Sequence, residues 1–207
     1  AIFYVWLLCS EWLQSFSRSP WPRITPARTL FAQPGQLRRR QIKVERPAPA
    51  SADDSELAEH LCKLVNEAYR DGEAGMWTDE FERTTPEEVA ELLRRGELLL
   101  AMAMDESASV SSALPVGQVK VVKLLHEGQE HVEVGMLAVD KALRGRGVGQ
   151  ELMDAAERHA LEQNSSGVLL QLLSPKEWVH PTKKFLDEWY CRLGYEPSEP
   201  SDFQAAF

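Results

Sequence analysis

Apolar positions along the chain switch between two periods, and the switches mark out alternating strands and helices. In QIKVERPA (41–48), Ile42 and Val44 alternate with Lys43 and Glu45, the period-2 pattern of a half-buried strand. Leu57, Leu61, Leu64, Val65 and Ala68 then recur at helical spacing behind Ser and Asp residues suited to an N-cap. Residues 71–83, DGEAGMWTDEFER, carry no period and read as a long loop. The next helix is sharply punctuated: Thr85 as N-cap, Pro86 at the first helical position, Glu88 closing a capping box, Gly96 at the end. Glu97–Met104 and Val116–Leu125 read as strands joined by the small-residue loop DESASVSSALP, hence as a hairpin. HVEVGMLAVD (131–140) is a further, mostly apolar strand. Leu152, Met153, Ala156 and Ala160 mark a helix, and GVLLQLL (167–173) a strand buried on both faces. Phe185, Trp189 and Leu193 lie on a last helix that Gly194 stops. The order β-α-α-β-β-β-loop-α-β-α, without internal repeats, predicts one mixed α/β domain over residues 41–207.

Composition sets residues 1–40 apart from that domain. They hold six arginines against one acid, Glu11, and four prolines, which gives an extension with disordered or transit-peptide character. The net charge of −9 therefore conceals a strongly acidic body, which argues against broad nucleic-acid binding. The longest apolar run, Ala1–Cys9, is too short to span a bilayer. Cys9, Cys62 and Cys191 are widely spaced, and the five histidines form no ligand pattern, so neither a disulfide scaffold nor a metal site is expected. A reducing compartment follows, the cytoplasm, with the mitochondrion as the alternative that the N-terminal composition raises.

Candidate chemistry concentrates in LRGRGVGQEL (143–152), between a strand and a helix. Glycines let the backbone take positive φ, and amides at a helix N-terminus converge where the helix dipole favours an anion. Arg144 and Arg146 add charge-assisted contacts. An ordinary tight turn is the competing reading. The spacing is not a dinucleotide fingerprint, since Gln150 stands where GxGxxG needs its last glycine, and no GK[ST] follows for a P-loop.

The pattern Arg144-x-x-Gly147-x-Gly149 directly after GMLAVDKAL resembles the acyl-CoA pyrophosphate loop of the GNAT superfamily of N-acyltransferases, and Gly145 lies outside that pattern. WYCRLGY (189–195) is similar to a second signature of the family. The EAGMW loop (73–77) and the W-x-H-P run at 178–181 look like those of uncharacterised fungal members. The resemblance implies the acyl-CoA N-acyltransferase fold, a central, mostly antiparallel sheet flanked by helices. The family's two closing strands find at most one short counterpart after Tyr195, which leaves the sheet incomplete at its C-terminal edge.

By the same resemblance, Leu137, Ala138 and Val139 would pair with the pantetheine arm of acetyl-CoA, one amide polarising the thioester carbonyl. The amides of Arg144, Gly145, Arg146, Gly147, Val148 and Gly149 would hold the pyrophosphate. The implied reaction is direct attack of a primary amine, of a small molecule or peptide, on acetyl-CoA. Tyr190 occupies the family's general-acid position, and Glu133 is the candidate base, sharing a strand face with Leu137 and Val139 by parity. Glu73 and Trp77 are candidates for holding the amine, and His180 for assisting proton transfer. The expected partners are acetyl-CoA and an amine, with no nucleic acid and no membrane, in a monomer or homodimer. The alternative is a catalytically silent acyl-CoA-binding module of the same fold.

Overall fold

The structure, a computed structural model, describes residues 11–18, 42–77, 82–103 and 114–202. One sheet organises them. In chain order its strands are β1 (Glu11–Arg18), β2 (Ile42–Glu45), β3 (Leu98–Ala103), β4 (Gly117–His126), β5 (Gln129–Val139), β6 (Val168–Pro175), β7 (Glu196–Pro197) and β8 (Ser201–Asp202). The helices are α1 (Ser55–Gly72), α2 (Pro86–Arg95), α3 (Val148–Glu162) and α4 (Pro181–Leu193). The strand order is β2-β3-β4-β5-β6-β1-β7, with β8 also on β1. Pairing is antiparallel throughout except between β5 and β6.

Local chemistry explains the elements that the pattern marks. The Asp54 carboxylate accepts from Leu57 N–H at the start of α1, and Thr85 Oγ1 accepts from Glu88 N–H at the start of α2. Gly96 and Gly194 end α2 and α4 in the left-handed region, at φ 67 and 94, where a side chain would be strained. Glu127 and Gly128, with φ 50 and 77, turn β4 tightly into β5. The loop joining β3 to β4 lies outside the described residues between 104 and 113.

The helices cover both faces of the sheet. On one, Val119, Val121, Val132, Val134, Leu152, Met153, Ala156, Leu170, Tyr190 and Tyr195 pack into the main core beneath α3 and α4. On the other, Leu61, Val89, Leu93, Leu98 and Leu100 pack under α1 and α2, and Leu64 and Val65 meet Ala138.

The N-terminal part of the chain corrects the sequence reading. Residues 11–18, expected to lie in an extension outside the domain, form a strand in register with all of β6, from Glu11 opposite Pro175 to Arg18 opposite Val168. This strand fills the edge that was expected to stay open, and β7 and β8 pair with its far side. Residues 1–10 and 19–41 lie outside the described residues. Phe16 is fully buried on the α4 face, its ring 5.6 Å from that of Tyr190, while Leu13 packs on the opposite face with Met76 and Leu173. Arg18 Nη1 pairs with Glu157 Oε1 of α3 at 2.6 Å. Phe16→Ala is expected to lower stability by about 3 kcal/mol in urea unfolding, whereas Ser17→Ala, at an exposed position of the same strand, should change it by less than about 0.5 kcal/mol.

Candidate active site

The sheet opens where β5 leaves β6. Their parallel ladder runs through Val132–Val168, Glu133–Leu169 and Val134–Leu170 and stops there, while β5 continues to Val139. A bulge accompanies the split: Lys120 pairs with Gly135 and Gln118 with Ala138, so Met136 and Leu137 together face Val119. Met136 takes φ 48, a left-handed conformation that costs a side-chain-bearing residue roughly 1–2 kcal/mol. Asp140 N–H donates to the Val116 carbonyl on the β4 side. By the alternation of an extended chain, Leu137 and Val139 turn their backbone groups the other way, into the opening, and Ala138 turns its own toward β4.

The bulge also overturns the parity argument for Glu133. Leu137 and Val139 pack against the main core with Val132 and Val134, whereas Ala138 and Met136 pack with Leu64 and Val65 of α1. The extra residue shifts the face of everything after Gly135. Half-buried Glu133 therefore shares the α1 face with Met136 and Ala138 and not with Leu137 and Val139.

At its C-terminal end β5 leads into the glycine loop through a single 3-10 turn, Lys141–Leu143, capped by the Asp140 carboxylate. Gly145 and Gly147 take φ 75 and 93, so Gly145 has a conformational role of its own that the Arg144–Gly147–Gly149 pattern does not convey. Gly147 is the N-cap of α3, and the first intrahelical bond there runs from Glu151 N–H to its carbonyl. The amides of Val148, Gly149 and Gln150 thus begin the helix without helical partners, the arrangement that receives an anion. A Cβ built on Gly145 or Gly147 meets nothing within 4 Å, so the space beside these amides is open. At Gly149 a Cβ would make ordinary contact with Trp189 of α4 at 3.6 Å. Arg146 is exposed, and the Val148 side chain is buried in the core. Arg144 reaches back instead of outward: its Nε donates to the Val139 carbonyl at 3.2 Å and its Nη1 to Asp71 Oδ2 at 2.9 Å. Lys141 Nζ meets the same Asp71 oxygen at 3.2 Å, and hydrogen bonding from Lys141 and Arg144 holds this carboxyl below the usual carboxylate range.

Two tyrosines flank the opening from opposite faces. Tyr190, on α4, is buried among Phe16, Trp189 and Tyr195. Burial, together with the Tyr69 phenol across the opening, holds its hydroxyl well above the ordinary tyrosine value. Tyr69, near the end of α1, was not singled out by the sequence, where it reads as one more apolar helix position. It packs beside Met136 and Ala138 at the bulge. Burial raises its phenol too, while the Arg83 guanidinium and the Met136 N–H draw it the other way.

The loop after α1 contains a buried ion pair. Lys183 Nζ of α4 meets Glu73 Oε1 at 2.7 Å, with side-chain exposures of 7% and 4%, and Trp77 Nε1 donates to Glu73 Oε2 at 2.6 Å. Both carboxylate oxygens are thereby engaged, and Glu73 and Trp77, the amine-holding candidates of the sequence, fasten the loop to α4. His180 is likewise occupied. Buried, it caps α4 through Nδ1 accepting from Thr182 N–H, while Nε2 donates to the Ala74 carbonyl at 3.2 Å. Among the described residues, no cluster of three His, Cys, Asp or Glu side chains is placed to hold a metal. Among the described residues no helix is long and apolar enough to cross a membrane.

Removing one partner of the Glu73–Lys183 pair strands the other charge inside the protein. Lys183→Met should lower stability by about 3 kcal/mol, and Glu73→Gln added to it should restore a large part of that loss in chemical denaturation.

Comparison with known proteins places this geometry. Among curated protein sequences none matches the chain. Similar folds occur in crystal structures of an aminoglycoside acetyltransferase, meta-AAC0020, from an uncultured soil metagenomic sample, and of a GCN5-related N-acetyltransferase from Ralstonia eutropha JMP134. The first is 17% identical with a TM-score of 0.50, covering 74% of this chain and 88% of that one. The second is 18% identical with a TM-score of 0.50, covering 76% and 94%. At such identities the likeness is one of fold. The model of the acetyltransferase (GNAT) family matches residues 58–189, from α1 through the split strands and the glycine loop to α4. That match spans well over half of the chain, and the protein belongs to the GNAT acetyltransferase family.

Proposed function

We propose that the chain is an acetyl-CoA-dependent N-acetyltransferase that acetylates a primary amine of a small molecule or peptide by direct attack. One observation carries the reading: β5 abandons β6 after Val134 and runs, with no strand of the described residues beside its outer edge, straight into a glycine loop at a helix N-terminus. An extended arm ending in a diphosphate is complementary to that pair of features. The arm would add to β5 as a strand does, on the groups of Leu137 and the Val139 N–H, beside the Val139 carbonyl that Arg144 holds. The diphosphate would sit on the amides from Arg144 to Gly149 other than that of Arg146, which donates to the Leu143 carbonyl, beside open space and the positive end of the α3 dipole. Arg144 and Lys141, now held by Asp71, stand next to that position as cations.

Acetyl-CoA supplies a thioester whose carbonyl carbon is attacked by the amine lone pair, and the C–S bond breaks as the new C–N bond is completed. Glu133, on the α1 face of β5, accepts the proton that the amine must lose. Tyr190 returns a proton to the departing sulfur, so the products are the acetamide and the free thiol. A phenol held above its ordinary value stays protonated across the working range, as a donor must. The backbone amides of the bulged segment polarise the thioester carbonyl.

Thiol release from acetyl-CoA with a panel of amines tests the reading; saturable CoA binding with no thiol released from any amine would favour the silent acyl-CoA-binding module instead. Tyr190→Phe should reduce kcat at least about tenfold and change acetyl-CoA affinity less than about twofold, while the wild-type kcat profile should show no basic limb from this phenol below about pH 10. Glu133→Gln should reduce kcat at least about tenfold while acetyl-CoA affinity changes less than about twofold. Equal losses of kcat and affinity in Tyr190→Phe would sink its role.

The glycine loop makes a separate prediction about the donor. Gly147→Val places a β-branched residue at φ 93 and should weaken acetyl-CoA binding at least about tenfold by calorimetry. Gly149→Ala, with only ordinary contact to Trp189, should bind within about threefold of the parent.

A further inference from the structure

We propose that Arg83 recognises a carboxylate on the acceptor close to the reacting nitrogen, which makes the acceptor class amino acids and not simple or polycationic amines. The inference rests on the acetyl-transfer reading above and narrows it. Arg83 is placed by a buried residue of α1: Asn66 Oδ1 accepts from Arg83 N–H at 2.8 Å and from Thr84 N–H at 3.1 Å. Asn66 Nδ2 donates to the Thr84 carbonyl at 3.0 Å, so the amide locks this stretch of backbone to the helix. From there the Arg83 side chain lies over Tyr69, its guanidinium carbon 5.0 Å from the ring centroid. Tyr69 in turn packs on Met136 at the bulge of β5. The guanidinium therefore sits one aromatic ring away from the backbone where the thioester would be polarised.

Charge decides what this cation is suited to bind. Most arginines of the described residues that lie near a carboxylate use it: Arg144 on Asp71, Arg18 on Glu157, Arg94 and Arg95 on Glu91. Among the described residues no carboxylate forms an ion pair with Arg83. Glu73, whose charge acts on the same tyrosine, is paired with Lys183. Glu82, Glu87 and Glu88 act on Cys62, whose thiol meets the Thr84 carbonyl, so the positive charge over Tyr69 is that of the Arg83 guanidinium alone. A second ammonium on the acceptor meets repulsion there, whereas a carboxylate finds a planar fork suited to bidentate pairing. In an amino acid a single carbon separates that carboxylate from the attacking nitrogen, which matches a cation one ring removed from the bulge.

The test uses matched acceptors that differ only in the carboxylate: phenylalanine with 2-phenylethylamine and phenylalaninamide, and lysine with 1,5-diaminopentane. Thiol release should give the acid of each set a kcat/KM at least about tenfold above its partners. Arg83→Gln should bring that ratio to within about threefold while acetyl-CoA affinity stays unchanged, and Arg83→Lys should restore part of it. Preference for the decarboxylated or amidated amines, or a preference for the acids that survives Arg83→Gln, would overturn the inference and leave acetyl transfer standing. Calorimetric binding of N-acetylphenylalanine and its amide is read in parallel. Binding of the acid alone, lost in Arg83→Gln, supports the carboxylate site even without thiol release, in which case it is the acetyl-transfer reading that fails.

Discussion

The site depends on one constraint, that β5 cannot stay paired on both of its edges. Its antiparallel ladder with β4 persists to Val139, but the parallel ladder with β6 ends at Val134–Leu170. The bulge at Met136 lets the strand bend away without losing β4, at the cost of a left-handed conformation in a residue that has a side chain. Packing on either side holds that strain: Ala138 against Leu64 and Val65, Leu137 and Val139 against the core of α3. What results is a short run of backbone donors and acceptors facing a gap inside the sheet. Arg144 meets the Val139 carbonyl and Tyr69 the Met136 N–H, and an extended ligand that pairs like a strand suits the groups of Leu137 between them.

The gap can exist only if the far half of the sheet is held by something other than β5. That support is β1, antiparallel to the whole of β6. It makes β6 an interior strand, closes Phe16 onto Tyr190 and brings Arg18 to Glu157, which also accepts from the Tyr195 hydroxyl at 3.2 Å. Burial raises the Glu157 carboxyl even with the guanidinium 2.6 Å away, so the arginine offsets a desolvation cost on which the packing of Tyr195 depends. The phenol proposed as general acid therefore owes its rigid surroundings to a strand that lies outside the stretch matching the family.

What could be read from sequence was whatever is encoded locally. The caps of α2, the Gly194 stop and the strand–glycine–helix succession each lie within a few residues, and the fold keeps all of them. β1 was not legible because it is covered on both faces. Its buried residues Leu13 and Phe16 are three apart and point to different cores, so no period of two exists to be found. The face of Glu133 was misassigned because a bulge changes parity, and Met136 carries no glycine to announce it. Glu73 and Lys183 are 110 residues apart, and each reads as a solvated charge until the fold buries them together.

The C-terminal turn of α1 draws these pieces into one arrangement. Tyr69 faces the bulge, Asp71 ties down Arg144 and Lys141 of the donor loop, and Glu73 ties down Lys183 of α4. Carboxylates at a helix C-terminus oppose the helix dipole, so on its own this end of α1 is unfavourable. Cations from the two neighbouring elements offset that: Arg144 and Lys141 meet Asp71, and Lys183 meets Glu73. The glycine loop, the loop after α1 and α4 are thus fastened to one helix end through Asp71 and Glu73, two residues apart, with Tyr69 one turn back against the bulge.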